Sequence, residues 1–107
     1  MNIQFKKGVL ELCVLSLLYH GEMYGYELTS KLCEAISISD GTIYPLLRRM
    51  KNEGYVTTYL SESNEGPPRK YYRLTETGTD YKEKLILEWK ALSAGVNKLI
   101  EGGSENE

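Results

Sequence analysis

The segment Phe5–Tyr19 constrains the fold more than any other part of this sequence, because it reads as a helix with almost no polar side. Leu10, Cys13, Val14, Leu17 and Leu18 recur at the i, i+3, i+4, i+7, i+8 spacing of one helical face. Val9, Leu12 and Leu15 add apolar residues on the neighbouring faces. A helix apolar nearly all round must be covered on more than one side. The chain has 107 residues, enough for one domain, so a partner subunit is the expected cover for the second face. His20-Gly21 closes the helix: glycine suits a left-handed cap, and histidine suits the negative end of the helix dipole.

A second helix is expected from Tyr24 or Gly25 to Glu34, with Tyr26 or Leu28, Leu32 and Ala35 facing inward. Ile36-Ser37-Ile38 reads as extended and leads to Ser39 and Asp40, both good N-cap residues. The third helix then runs to Asn52 or Glu53 and stops at Gly54. Ile43, Leu47 and Met50 share its inner face, with Leu46 at the edge, while Tyr44, Arg48 and Lys51 share another, flanked by Thr42 and Arg49. Pro45 removes only the bond to the Gly41 carbonyl, so the helix start distorts without having to break. Tyr55–Leu60 is rich in β-branched and aromatic residues and reads as a strand. The turn Ser63–Pro68 and a return strand Arg69–Leu74, with Tyr71 and Tyr72 on opposite faces, complete a hairpin. Because a lone hairpin is marginal in water, it must pack on the helices. Thr75 opens a last helix without the Glu of a full capping box. In that helix Leu85, Trp89, Leu92, Val96 and Leu99 recur at spacings of 4, 3, 4 and 3, a heptad seam interrupted by Gly95. The tail Gly102–Glu107 is expected to be disordered.

Several function classes find no support. The apolar run Leu12–Leu18 is broken by Ser16 and falls far short of the roughly 18 residues a membrane span needs. No basic-then-apolar leader precedes a small-residue cleavage site, so a soluble cytoplasmic protein is expected, with no membrane partner. His20 is the only histidine, and Cys13 and Cys33 form no Cys-x-x-Cys pair. No metal site, cofactor or catalytic group is therefore expected, and the cysteines read as small buried hydrophobes. Scattered carboxylates form no acid–base pair, and no glycine-rich phosphate loop follows a strand, which argues against an enzyme.

The net charge is −2, but residues 1–75 carry 9 Lys/Arg against 8 Asp/Glu, and residues 76–107 carry 4 against 7. Any contact with a polyanion must come from local clusters. Two helices joined by a short turn can place the second in a DNA major groove. Arg48, Arg49 and Lys51 offer phosphate neutralisation, Ser39, Thr42 and Tyr44 offer hydroxyls, and Gly41 lets the backbone come close. Arg69 and Lys70 add cations beside the Gly-Pro-Pro turn, placed to reach a neighbouring backbone or the minor groove. The same elements also suit a winged helix that docks on another protein and has no operator.

The stretches Tyr24-Gly25-Tyr26-Glu27-Leu28, Gly41-Thr42-Ile43-Tyr44-Pro45-Leu46-Leu47-Arg48-Arg49-Met50, Glu53-Gly54-Tyr55-Val56 and Arg69-Lys70-Tyr71-Tyr72-Arg73-Leu74-Thr75-Glu76-Thr77-Gly78 closely resemble the PadR family of bacterial regulators. The single last helix resembles the short, LmrR-like branch. The resemblance implies an α+β winged helix-turn-helix over residues 1–74, a dimerisation helix over 75–101 and a tail over 102–107. It implies a homodimer built by the first and last helices through Leu10, Leu85, Trp89, Leu92, Val96 and Leu99. It implies repression of a nearby promoter, relieved by a small molecule. Thr42 and Tyr44 would lie at the DNA-facing start of the recognition helix, Arg48, Arg49, Arg69 and Lys70 would contact backbone, and Tyr71 would brace the wing. Trp89 would either stack on a planar aromatic ligand between subunits or serve as a packing anchor. Ser93 stands where the branch carries an acid that favours cationic ligands, so the ligand class does not transfer.

Overall fold

The computed structural model describes residues 3–63 and 65–102. The elements in order are α1 (Ile3–Tyr19), β1 (Met23–Tyr24), α2 (Gly25–Ala35), α3 (Asp40–Asn52), β2 (Val56–Ser61), β3 (Arg69–Leu74) and α4 (Glu76–Ile100). Asn64 of the turn and residues 103–107 of the expected tail lie outside the described residues. Among those described, no helix is long and apolar enough to cross a membrane.

The absence of a polar side on α1 has its consequence in burial: no residue from Gly8 to Leu18 is exposed. Leu10, Val14, Leu15 and Leu18 enter the core beside Leu28 and Leu32 of α2, the α3 face Ile43, Leu46, Leu47 and Met50, and Val56 and Tyr72 of the sheet. The second cover expected from a partner is supplied in large part by this chain's own α4, whose Tyr81 and Leu85 pack on the same core. On α2 the inward position goes to Leu28, while Tyr26 is exposed. Ala35, expected inside, is exposed too. The helix ends there, and the extended backbone of Ile36 (φ −133°, ψ 121°) turns Ile36 and Ile38 to the core instead.

The expected hairpin is part of a three-stranded antiparallel sheet of order β1-β3-β2. β2 and β3 pair from Val56↔Leu74 to Ser61↔Arg69, and β1 adds Met23↔Tyr72 and Tyr24↔Tyr71 on the other edge of β3. Two residues are too few to show a period, so this strand left no mark on the sequence pattern. Its pairing ties the hairpin to the start of α2, meeting the hairpin's need for support.

The junction of α3, the sheet and α4 explains the glycines of the Glu-Gly-Tyr-Val and Thr-Glu-Thr-Gly stretches. Gly54, at φ +84°, ends α3 in a Schellman cap: its N–H donates to the Lys51 carbonyl and that of Tyr55 to Met50. Thr75 caps α4, its Oγ1 accepting from the Gly78 N–H at 2.9 Å, while its hydroxyl faces the Gly54 and Tyr55 carbonyls at 2.6 and 3.0 Å. A cap forms here without the Glu of the full box. The first turn of α4 therefore lies directly on the Tyr55 carbonyl, and a Cβ at Gly78 would meet that oxygen. Gly78→Ala is expected to cost about 1–3 kcal/mol of stability by overpacking, measured by urea unfolding. An unchanged midpoint would show that α4 docks less closely than this.

Candidate nucleic-acid interface

α2 and α3 are joined by the short extended segment ending at Ser39 (φ −94°, ψ 157°), the N-cap residue of α3. Ser39 makes no side-chain cap bond; its Oγ lies 3.3 Å from the Thr42 hydroxyl, and its carbonyl accepts from the Thr42 N–H. Asp40 sits in the first turn, where a carboxylate suits the helix dipole, and accepts from the Cys33 thiol at 3.6 Å. Burial and that carboxylate push the thiol pKa of Cys33 up, and both cysteines are half-buried and unbridged. Pro45 leaves α3 unbroken. With Ile43, Leu46, Leu47 and Met50 committed to the core, the outward face presents Gly41, Thr42, Tyr44, Arg48 and Lys51.

Arg49 departs from the expected set. It turns inward, its Nη2 3.3 Å from Glu11 Oε2, on a carboxylate only 3 % exposed. The other oxygen of Glu11 accepts from the Tyr81 hydroxyl at 2.7 Å, and the Tyr81 ring stacks on Tyr55 with centroids 4.3 Å apart. Burial, and then the hydrogen bond to Glu11, push the phenol of Tyr81 up. Sequence reasoning missed Glu11, although a lone carboxylate between Leu10 and Leu12 is the signal of a buried charge that needs a partner.

The wing cations also separate. Strand alternation sends Arg69 to the outer sheet face, where its guanidinium lies 4.8 Å from the Tyr24 ring centroid, and Lys70 to the α3 side. Tyr71 stacks on Tyr59 on that outer face, and Arg73 lies over Tyr59. Glu22 takes the Tyr59 hydroxyl at 2.6 Å and Arg73 Nε at 2.7 Å. Those two bonds, Tyr59 first, hold the Glu22 carboxyl below the usual range. This ladder stiffens the wing on the side away from α3.

Two concavities stand out among the described residues. One, of about 220 Å³, lies between α3 and the wing, with Tyr44, Arg48, Lys51 and Asn52 on the helix side and Thr58, Lys70 and Tyr72 on the strand side. No carboxylate lines it. The other, of about 170 Å³, is an apolar groove between α1 and α4 lined by Val9, Leu12, Leu85, Trp89 and Leu92, with Glu88 at its edge. Leu10, expected at a dimer interface, is buried inside the subunit, whereas Trp89, Leu92, Val96 and Leu99 are 43–79 % exposed. Beyond Leu87 every residue of α4 but Ser93 is exposed.

Residues 14–84 match the family described as Transcriptional regulator PadR-like. A PadR-like transcriptional regulator from Bacillus cereus has a similar solved structure, 42 % identical, TM-score 0.80, covering 91 % of this chain and 96 % of that one. A PadR-like transcription factor from Bacteroides fragilis is 41 % identical, TM-score 0.76, covering 90 % and 94 %. The negative transcriptional regulator PadR of Bacillus subtilis is 34 % identical over 74 residues, which span 65 % of this chain and 41 % of that protein.

The geometry around Glu11 makes a direct prediction. Glu11→Ala leaves Arg49 and Tyr81 without their acceptor and is expected to cost about 1–3 kcal/mol; Tyr81→Phe, which removes one bond, is expected to cost about 1 kcal/mol. Denaturant unfolding measures both. A Glu11→Ala change within about 0.5 kcal/mol, as for an ordinary surface site, would remove Glu11 from the structural account.

Proposed function

This chain belongs to the PadR-like family of DNA-binding transcriptional regulators, and from that premise we propose that it is a homodimeric repressor of the short, LmrR-like kind, released from its operator by a planar aromatic ligand. The observation that carries the reading is the exposed heptad strip of α4: Leu92, Val96 and Leu99 stand 46, 43 and 79 % exposed on a helix whose earlier turns are packed. Apolar positions repeating every three and four residues call for a second helix. A copy of the same chain supplies one with the same seam, by the isologous pairing commonest among soluble oligomers. Repression is supported by the similarity to the Bacillus subtilis negative regulator.

A dimer places two copies of α3 at a spacing set by the α4 pair. Adjacent half-sites require about 34–36 Å between recognition helices. Within each subunit Ser39, Gly41, Thr42 and Tyr44 lead into the major groove, Arg48, Lys51 and Lys70 hold backbone, and Arg69 and Tyr71 shape the wing. The family and its solved structures are regulators rather than enzymes.

The groove beside Trp89 is smaller than the roughly 300–1,000 Å³ of most ligand pockets. Two such grooves facing each other across a dimer axis bring two indoles to one ligand. Glu88 at the groove edge supports a ligand with positive charge, the role for which Ser93 is unsuited. Such a ligand releases DNA only by binding the mismatched spacing more tightly than the DNA-competent one.

Binding to the duplex upstream of the chain's own gene, compared with a scrambled duplex across a salt series, tests the repressor reading. Sequence-selective binding supports it; a dimer that ignores sequence at every salt contradicts it and favours a protein-docking role. Tyr44→Ala is expected to lower the preference for the specific duplex about 10- to 100-fold, the worth of one good base contact, with sedimentation unchanged. Trp89→Ala is expected to weaken binding of a planar cationic dye, followed by dye fluorescence, more than it weakens DNA binding. Equal dye affinity in the variant contradicts the ligand site.

A further inference from the structure

We propose that the cleft between α3 and the wing is the seat of a single phosphodiester, gripped from the helix by Arg48 and from the strand by Lys70. The inference rests on the DNA-binding reading and adds to it how the two elements straddle the duplex.

The distribution of charge singles the cleft out. Two nearby arginines are neutralised within the fold, Arg49 by Glu11 and Arg73 by Glu22. Arg48, Lys51 and Lys70 have no carboxylate partner among the described residues and all line the cleft. Three cations facing one concavity without an acid repel each other, and an anion relieves that repulsion.

The walls are fixed by the core rather than by the ligand. Ile43 and Met50 anchor α3 in the core, and neither is exposed. Tyr72 is held on the other side: its ring packs so closely on the start of α2 that a Cβ at Gly25 would lie 3.2 Å from it. Burial, with Tyr44 next, raises the Tyr72 phenol pKa, while Arg48 lowers it. Thr58 adds a second hydroxyl from β2.

Duplex geometry then identifies the anion. With α3 in the major groove and the wing in the adjacent minor groove, one sugar–phosphate strand separates the two elements. Whatever enters the cleft between them is that strand. Lys51, a turn further along α3, flanks it toward the next phosphate.

Counterion release tests whether the grip is shared. Neutralising one phosphate changes the slope of log K against log salt by about 0.9 on B-DNA. For one shared phosphate, Arg48→Ala and Lys70→Ala each weaken binding with little change of slope. The double variant lowers the slope by about 0.9, and the losses are non-additive. Separate phosphates give a drop of about 0.9 in each single variant, about 1.8 in the double variant, and additive losses; that pattern overturns the proposal. A second arm needs no DNA: inorganic phosphate is titrated against chloride at constant ionic strength, with side-chain NMR signals of Arg48 and Lys70 followed. Both are expected to shift together along one saturation curve in the wild-type protein. No shift at either, or shifts with different midpoints, overturns the cleft. If the wild-type protein binds no duplex, the DNA reading falls, and the phosphate titration alone decides the cleft.

Discussion

Glu11 is the only charged residue between Gly8 and Tyr19, and the fold is organised around satisfying it. A carboxylate removed from water is costly unless paired and hydrogen-bonded. The chain meets this requirement by bringing Arg49 from α3 and Tyr81 from α4 to its two oxygens. One side chain thus joins the three helices whose relative placement decides where the proposed DNA-binding face points. The apolar packing around it gives most of the burial, but apolar packing has no direction, whereas the carboxylate specifies partners. Arg48 and Arg49, adjacent in sequence, consequently have different fates, one in the open cleft and one half-buried against Glu11.

The same arrangement links the two concavities. Leu12, next to Glu11, lines the α1–α4 groove, and Leu85, one turn beyond Tyr81, lines it too. A change in the angle between α1 and α4 therefore shifts Tyr81 against Glu11, and Glu11 is the carboxylate that holds Arg49 of α3. This gives the proposed dimer a physical route from the groove to α3: a contiguous set of hydrogen-bonded and packed side chains rather than distance alone.

Much of this was legible in the sequence because it is written in periodicity. The inner face of α3, the extent of the long helix and the alternation of Tyr71 and Tyr72 follow from spacings of 3.6 and 2. What could not be read depended on contacts between distant segments. The two-residue strand Met23–Tyr24 exists only because β3 offers it an edge. Arg49 looked like one more outward cation because helical spacing places it beside Arg48, and only the buried acid 38 positions earlier in the chain explains its turn inward. Arg69 and Lys70 formed one basic pair in sequence, yet strand alternation sent them to opposite faces. Gly78 read as an incomplete capping box and is a point of close approach to the Tyr55 carbonyl.

The central claim is a dimer that presents two α3 helices to successive major grooves on one side of a duplex. Hydroxyl-radical footprinting of the protein on its upstream DNA tests this most directly. The account predicts two protected patches on the same face of the duplex, centred about one helical turn, 34–36 Å, or a whole multiple of it apart. A single protected patch, or two patches on opposite faces, would contradict it.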